Sequence, residues 1–67
     1  MSYTIMSKDS KRAVFINRET NDIFVVNSDM KASGTNELFV TDDKELAESV
    51  WKTTGGEYGD FEIRNND

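Results

Sequence analysis

The chain has 67 residues, enough for one domain with a small core, because chains of this size bury only about 60% of their unfolded surface. It contains no cysteine and no histidine, which excludes disulfides, Cys/His zinc sites and Ser-His-Asp or Cys-His catalysis. Its net charge of −5 is concentrated in residues 32–67, where nine acidic and three basic side chains would repel nucleic-acid phosphates and anionic membranes.

The N-terminal sequence indicates neither a secretory signal nor a membrane span. Its charged residues follow a weakly apolar start instead of preceding an apolar run. No stretch approaches the roughly 18 apolar residues that a spanning helix requires. The lack of cysteine fits a reducing compartment. We therefore expect a single domain over residues 1–67, located in the cytoplasm and without a membrane partner.

Three short segments in the first half of the chain have the composition of β-strands. Tyr3–Ser7 alternates in polarity, and Arg12–Asn17 and Ile23–Val26 are rich in β-branched and aromatic residues. Polar turn formers occupy residues 8–11 and 18–22 between them. Connections this short predict antiparallel neighbours, so the first half is expected to form a meander.

The segment Asn27–Asn36 is the longest one without a pattern. It is rich in turn formers and contains Gly34. Loops of this length are either functional or mobile, and we favour the mobile interpretation. Leu38–Val40 follows as a short fourth strand that leads directly into a helix.

The segment Thr41–Arg64 has the clearest helix signals. Asp42 is the expected N-cap, with Glu45 completing a capping box, and Thr41 is the alternative cap. Gly55 is expected to end the helix in the left-handed conformation. The apolar residues between these signals share one helical face that should pack on the sheet: Leu46, Ala47, Val50 and Trp51.

The last strand is predicted at Asp60–Arg64, after a turn that Gly56 is expected to loosen. Phe61 and Ile63 should face inward. The element order β-β-β-(β)-α-β predicts an α+β fold, with a small antiparallel sheet of four or five strands packed on one helix. Both faces of the central hairpin are apolar, whereas one helix covers only one face. We therefore expect the second sheet face, or an unpaired edge strand, to contact another protein or a second copy of the chain.

Five residues near the end of the chain are candidates for partner binding. Glu57, Asp60 and Glu62 have no capping function, and Tyr58 lies among them on a glycine-flanked loop. Trp51 lies at the margin of the helical apolar face. The acidic residues around Tyr58 favour a partner protein with a basic surface. A solvated acidic face and a core position for Trp51 are the alternative interpretations.

Other candidate sites have simpler explanations. Thr53–Gly56 resembles a phosphate loop superficially, but it follows a helix and lacks the required lysine. Asp42, Asp43 and Glu45 suggest a metal cluster, yet acids in a first helical turn are also what capping and the helix dipole favour. Solvated turns explain the basic residues of the first half: Lys8, Lys11, Arg12 and Arg18. We expect no catalytic residue, no metal and no cofactor, and direct nucleic-acid binding through these basic turns is the least favoured of three functional hypotheses.

The segment Asp42–Glu48, followed by Trp51, a glycine-rich turn and Phe61–Arg64, resembles part of a known class of proteins. It is similar to the helix and last strand of small phage-encoded proteins that disarm host machinery, such as phage inhibitors of the host RNA polymerase. The resemblance covers about a third of the chain, and the N-terminal meander departs from it. It implies only a class, an acidic accessory protein that binds and blocks a host protein.

These observations predict a non-enzymatic protein-binding module. The leading hypothesis is a phage or mobile-element accessory protein, active in the host cytoplasm. It would inhibit a host or defence protein by occupying a functional surface, for example a basic one that binds nucleic acid. The alternative is a structural homo-oligomer, for example a homodimer, that pairs through its exposed sheet face or edge.

Overall fold

The computed structural model describes residues 1–29 and 34–66. It contains strands β1 (Tyr3–Ser7), β2 (Arg12–Asn17), β3 (Ile23–Asn27), β4 (Asn36–Leu38) and β5 (Phe61–Asn65), helix α1 (Lys44–Thr53) and a 3₁₀ turn (Gly56–Tyr58). The five strands form one antiparallel sheet. The predicted α+β fold and element order are thereby confirmed. Neither helical segment of the described residues is long and apolar enough to cross a membrane.

The sheet extends the predicted meander by one strand on the far side of β1. Its order is β3-β2-β1-β5, and β4 also pairs with β2. β1 and β2 pair only where Met6 lies opposite Ala13. Further along, β4 and the residues after it pair with both strands, since Phe39 N–H donates to the Val14 carbonyl at 2.9 Å and Thr41 bridges to Tyr3. The chain is thus held beside β1 when it enters the helix.

The fourth strand lies two residues earlier than the predicted Leu38–Val40. β4 ends at Leu38, after which Phe39 is buried and Val40 is 42% exposed. The buried Thr4 hydroxyl donates to the Phe39 carbonyl oxygen at 2.9 Å. Phe39 is therefore fixed by the core and by a side-chain hydrogen bond instead of by a longer strand.

Helix α1 packs on β1 and β5 through a narrow face. Ala47 is fully buried and Val50 is 4% exposed. Leu46 and Trp51 each lie about 70° from the centre of that face at 100° per residue. The expectation that Leu46 belongs to the core was wrong, because it is 45% exposed. Five buried residues form the core cluster: Ile5, Val14, Phe39, Val50 and Phe61.

The sheet face away from the helix is less open than expected. Thr4, Ala13 and Phe15 are buried. Strand alternation places them on the sheet face away from the helix, whereas the core residues Ile5 and Val14 lie on the helix side. The Phe15 and Phe24 rings pack across β2 and β3 with centroids 6.4 Å apart. Other apolar residues on this face are half-buried: Met6, Val26 and Leu38. This face therefore does not present a wide bare apolar surface.

The helix starts at a different cap from the one expected. Asp43, not Asp42, is the N-cap, and its Oδ1 accepts from the amides of Glu45 at 3.0 Å and Leu46 at 3.3 Å. Thr41 is held by its bridge to Tyr3. The helix consequently begins one residue later than predicted, and Glu45 is too early in it to complete the capping box.

The glycines after the helix have different functions. Gly55 adopts the predicted left-handed conformation, with φ of 88°. Gly56 does not loosen the turn as expected, because it is buried and a Cβ at this position would overlap the Trp51 indole. The absence of a side chain at Gly56 therefore allows the helix and the following turn to pack closely.

The predicted loop Asn27–Asn36 is described only near its ends. Asn27 ends β3, and Asn36 begins β4. Just before β4, the Thr35 carbonyl accepts from the Arg18 amide at 2.9 Å. Residues 30–33, on which the mobile interpretation mainly falls, lie outside the described residues.

We predict that Gly56→Ala lowers the free energy of unfolding by about 1–3 kcal/mol, because the added methyl group overpacks against Trp51. Urea unfolding measures this cost. The control is the same substitution in a Trp51→Leu background, where the smaller side chain should relieve the overlap. An equal cost in both backgrounds would contradict this explanation.

We predict that Asp43→Ala lowers the free energy of unfolding by about 1 kcal/mol, because two helix amides lose their acceptor. Asp42→Ala is the matched control and should change it by less than about 0.5 kcal/mol. Thermal and urea unfolding provide the comparison. The opposite ranking of the two variants would restore Asp42 as the cap.

Candidate protein-binding site

The turn after the helix presents Tyr58 in a defined geometry. Gly55 and Gly59 flank it with φ of 88° and 87°, a conformation that glycine adopts without steric cost. The Tyr58 amide donates to the Gly55 carbonyl and the Gly59 amide to the Gly56 carbonyl, both at 3.0 Å. The backbone on both sides of Tyr58 is therefore closed by hydrogen bonds.

The Tyr58 side chain is 87% exposed. Its ring lies beside Gly55, where an added Cβ would be 3.6 Å from Cδ2. Within residues 1–29 and 34–66, no side chain or backbone group hydrogen-bonds to its hydroxyl group. Tyrosine combines a large apolar ring with a polar tip, which suits it to a protein interface. The described part of the fold therefore does not explain why a tyrosine occupies this position.

A shallow groove of about 440 Å³ lies between the C-terminal half of α1 and β5. Trp51, Gly56, Phe61 and Ile63 provide its apolar lining. Four charged residues complete the lining: Lys8, Glu48, Lys52 and Glu62. Gly56 and Phe61 immediately precede and follow residues 57–60 in the chain. The groove and the exposed turn are therefore adjoining parts of one surface.

Of the five predicted site residues, the groove brings together Trp51 and Glu62. Glu57, Tyr58 and Asp60 are exposed outside its lining. Trp51 is half-buried against the core, and its indole N–H donates to the Phe61 carbonyl at 2.8 Å. It therefore packs against the core, as its alternative interpretation proposed, and also lines the groove.

The acidic residues of the candidate site differ in their local partners. Glu62 Oε2 accepts from Arg64 Nε at 2.7 Å, so its charge is balanced within β5. Glu57 and Asp60 form no ion pair with another described residue. Lys8 and Lys52 add positive charge beside the groove. Of the three acids predicted for this site, the two on the exposed turn, Glu57 and Asp60, therefore carry uncompensated charge.

Arg64 is a residue whose importance the sequence analysis missed. Besides pairing with Glu62, its guanidinium group has four further acceptors around the β1–β2 turn: Ser10 Oγ at 2.8 Å, the Ser7 carbonyl at 3.2 Å, the Lys8 carbonyl at 3.3 Å and Met6 Sδ at 3.2 Å. These contacts join residues more than 50 positions apart in the chain. The only sequence signal was a lone basic residue two positions after Glu62, which places both on one face of a strand.

The β1–β2 turn that carries Lys8 is organised around Asp9. The Ser7 hydroxyl donates to Asp9 Oδ1 at 2.7 Å and the Lys11 amide donates at 3.0 Å. These bonds favour the ionised carboxylate and hold the pKa of Asp9 below its ordinary value of 3.8. The turn is therefore stabilised by the charged form of Asp9.

The remaining candidate sites have structural explanations. Across residues 1–29 and 34–66, no group of three acidic side chains is arranged to hold a metal ion. Asp43 serves as the helix cap, and Thr53–Gly56 forms the end of the helix and the turn after it.

The chain matches no protein-family model, no curated protein sequence and no solved structure. The resemblance to phage inhibitors stays a prediction.

We predict that acid lowers stability partly through Asp9. Because its folded-state pKa is depressed, its contribution is present above pH 4 and lost as pH falls through the folded-state pKa, below 3.8. Asp9→Asn keeps an acceptor oxygen but cannot titrate, so it should lose less stability between pH 5 and pH 2.5 than the wild type.

Urea unfolding at the two pH values measures the difference. Asp42→Asn, a substitution at an exposed acid before the helix, is the matched control. An unchanged pH dependence in Asp9→Asn would contradict the assigned contribution.

Proposed function

We propose that this protein is a non-enzymatic protein-binding module. The binding surface consists of the exposed turn with Glu57, Tyr58 and Asp60 and the adjoining groove with Trp51 and Glu62. The observation that carries the proposal is the 87% exposure of Tyr58 on a turn closed at both sides. Binding at this position would bury a large aromatic ring, and the hydrogen-bonded backbone of the turn reduces the loss of conformational entropy.

The groove gives the same partner a second point of contact. Its lining from Trp51, Phe61 and Ile63 can accept an apolar side chain, and its charged residues can bond to polar groups around it. An anchor beside a shallow apolar depression is a common arrangement of interface hot spots. The two features together favour a protein partner.

Charge favours a basic surface on that partner. Glu57 and Asp60 lie on either side of Tyr58 and are not neutralised within the described chain. Complementary charge accelerates association and orients the partner. If the contacted surface is the partner's nucleic-acid-binding surface, occupation by this chain inhibits it, as the phage resemblance implies.

We predict that Tyr58→Ala weakens partner binding by at least about 30-fold, the effect of losing a hot-spot residue worth about 2 kcal/mol. The test is affinity capture from a bacterial lysate with quantitative mass spectrometry, followed by titration of the captured protein. Leu46→Ala is the matched control, because Leu46 is an exposed apolar residue at the other end of the helix. It should leave binding unchanged.

The same titration separates the charge contribution. Glu57→Gln/Asp60→Asn should weaken binding at low salt and reduce its salt dependence, whereas Asp42→Asn/Glu45→Gln removes equal charge elsewhere and should do neither. Absence of any stoichiometric partner at low salt would contradict the proposal. So would a partner that binds Tyr58→Ala and the wild type equally.

A further inference from the structure

The two outer strands of the sheet differ in how well their edges are protected. On β5, the Trp51 indole N–H donates a hydrogen bond to the Phe61 carbonyl, and Glu62 and Arg64 place charges along the strand. β3 consists of Ile23–Asn27 and has no charge and no proline. Proteins usually protect edge strands with such devices, because unpaired backbone groups recruit other strands. β3 is therefore the edge available for pairing.

The register fixes which backbone groups of β3 face outward. Asn17 N–H donates to the Asp22 carbonyl and Ser28 N–H donates to the Lys11 carbonyl, both at 2.9 Å. Along the antiparallel ladder, the even-numbered residues of β3 consequently bond to β2. Ile23, Val25 and Asn27 direct their N–H and C=O groups away from the sheet. Among the described residues, none hydrogen-bonds to these outward groups.

The side chains at the same edge are also incompletely covered. Ile23 is 37% exposed and Val25 is 39% exposed, on the sheet face that carries the helix. Phe24 and Val26, on the other face, are half-buried. Another strand placed beside β3 would thus gain hydrogen bonds and bury apolar surface on both faces.

We propose that β3 pairs antiparallel with β3 of a second copy of this chain, centred on Val25. In this register Val25 lies opposite Val25 of the other copy, and Ile23 lies opposite Asn27. All three outward-facing residues of each strand then exchange backbone hydrogen bonds. Phe24 lies opposite Val26 of the other copy, which extends the apolar row that Phe15 and Phe24 begin.

Charge complementarity favours a second copy as the occupant of this edge. One end of β3 is flanked by Glu19 and Asp22, and the other end lies beside Lys11, whose carbonyl accepts from the Ser28 amide at 2.9 Å. Antiparallel pairing brings Asp22 of each copy toward Lys11 of the other. Asp22 falls opposite Ser28, whose amide donates to the Lys11 carbonyl at the end of the β2–β3 ladder, and Asp29 falls opposite the uncharged Asn21. No two like charges face each other in this ladder.

This dimer goes beyond the proposed binding site and leaves it accessible. β3 and β5 lie at opposite ends of the sheet order. The two Tyr58 surfaces would therefore remain exposed on the two outer ends of a continuous sheet. A partner with two binding positions would gain avidity from such an arrangement.

Sedimentation velocity over a range of concentrations, combined with amide hydrogen exchange by NMR, tests the proposal. The wild type should show a concentration-dependent monomer–dimer equilibrium. The amides of Ile23, Val25 and Asn27 should exchange rapidly in dilute samples and slow at least tenfold as the dimer forms. Those of Phe24 and Val26 should be protected at every concentration, because they bond to β2.

Val25→Lys places a charge on the edge and should give a monomer at all concentrations. Leu46→Lys makes the same kind of substitution at an exposed helix position and should keep the dimer. Protection of the Phe24 and Val26 amides reports whether each variant is folded. If Val25→Lys unfolds, the exchange pattern of the wild type still decides the question.

Three outcomes would overturn the proposal. They are a wild type that stays monomeric into the millimolar range, a dimer that Val25→Lys leaves intact while folded, and outward amides that become protected only when a different protein is added. None of these outcomes depends on Tyr58, so failure of the dimer and failure of the proposed binding site are distinguishable.

Discussion

The contact on which the C-terminal half of this protein depends is the Trp51 indole seated against Gly56. That one side chain joins three elements, because it lies on α1, contacts the 3₁₀ turn and donates its N–H to the Phe61 carbonyl of β5. The close approach requires a residue without a Cβ at position 56. The contact sets the position of the turn that presents Tyr58. The indole N–H also hydrogen-bonds to a carbonyl that would otherwise be unpaired at the β5 edge. Binding surface and edge protection therefore share one physical cause.

Strand composition and helix signals were sufficient to predict the α+β fold, the meander and the last strand, because these features depend on local periodicity. Leu46 was misassigned because a helical wheel shows an apolar arc but not where the sheet lies within it. Asp42 was predicted as the cap because Glu45 would then complete a capping box, but the helix starts one residue later, after the bridge between Tyr3 and Thr41. A pairing across so many residues leaves no local pattern. The close packing of Gly56 against Trp51 was not predicted, although only five residues separate them, because it depends on the path of the chain after the helix.

The residue types of the candidate site could be predicted from the sequence, but which of its acids pair with a basic residue could not. Tyr58 among glycines and acids is a local pattern, and the exposure of this residue agrees with it. The pairing of Glu62 with Arg64, and the contacts of Arg64 to the β1–β2 turn, depend on the placement of β5 beside β1. The groove likewise forms only when the end of α1 packs beside β5. The sequence therefore indicated the candidate binding residues, and the tertiary structure shows which of them are exposed and unpaired among the described residues.

The pairing of β1 with β5 has a consequence for how the chain reaches its native state. These strands comprise residues 3–7 and 61–65, and α1 packs chiefly on the two of them. The loop that must close before the core can form consequently spans most of the chain, and its entropic cost precedes the gain from packing. Proteins dominated by such distant contacts fold more slowly than helical proteins of equal length. The unpaired edge of β3 belongs to the meander, whose contacts are local and can form earlier. Association between chains through this edge can therefore compete with folding until β5 pairs with β1.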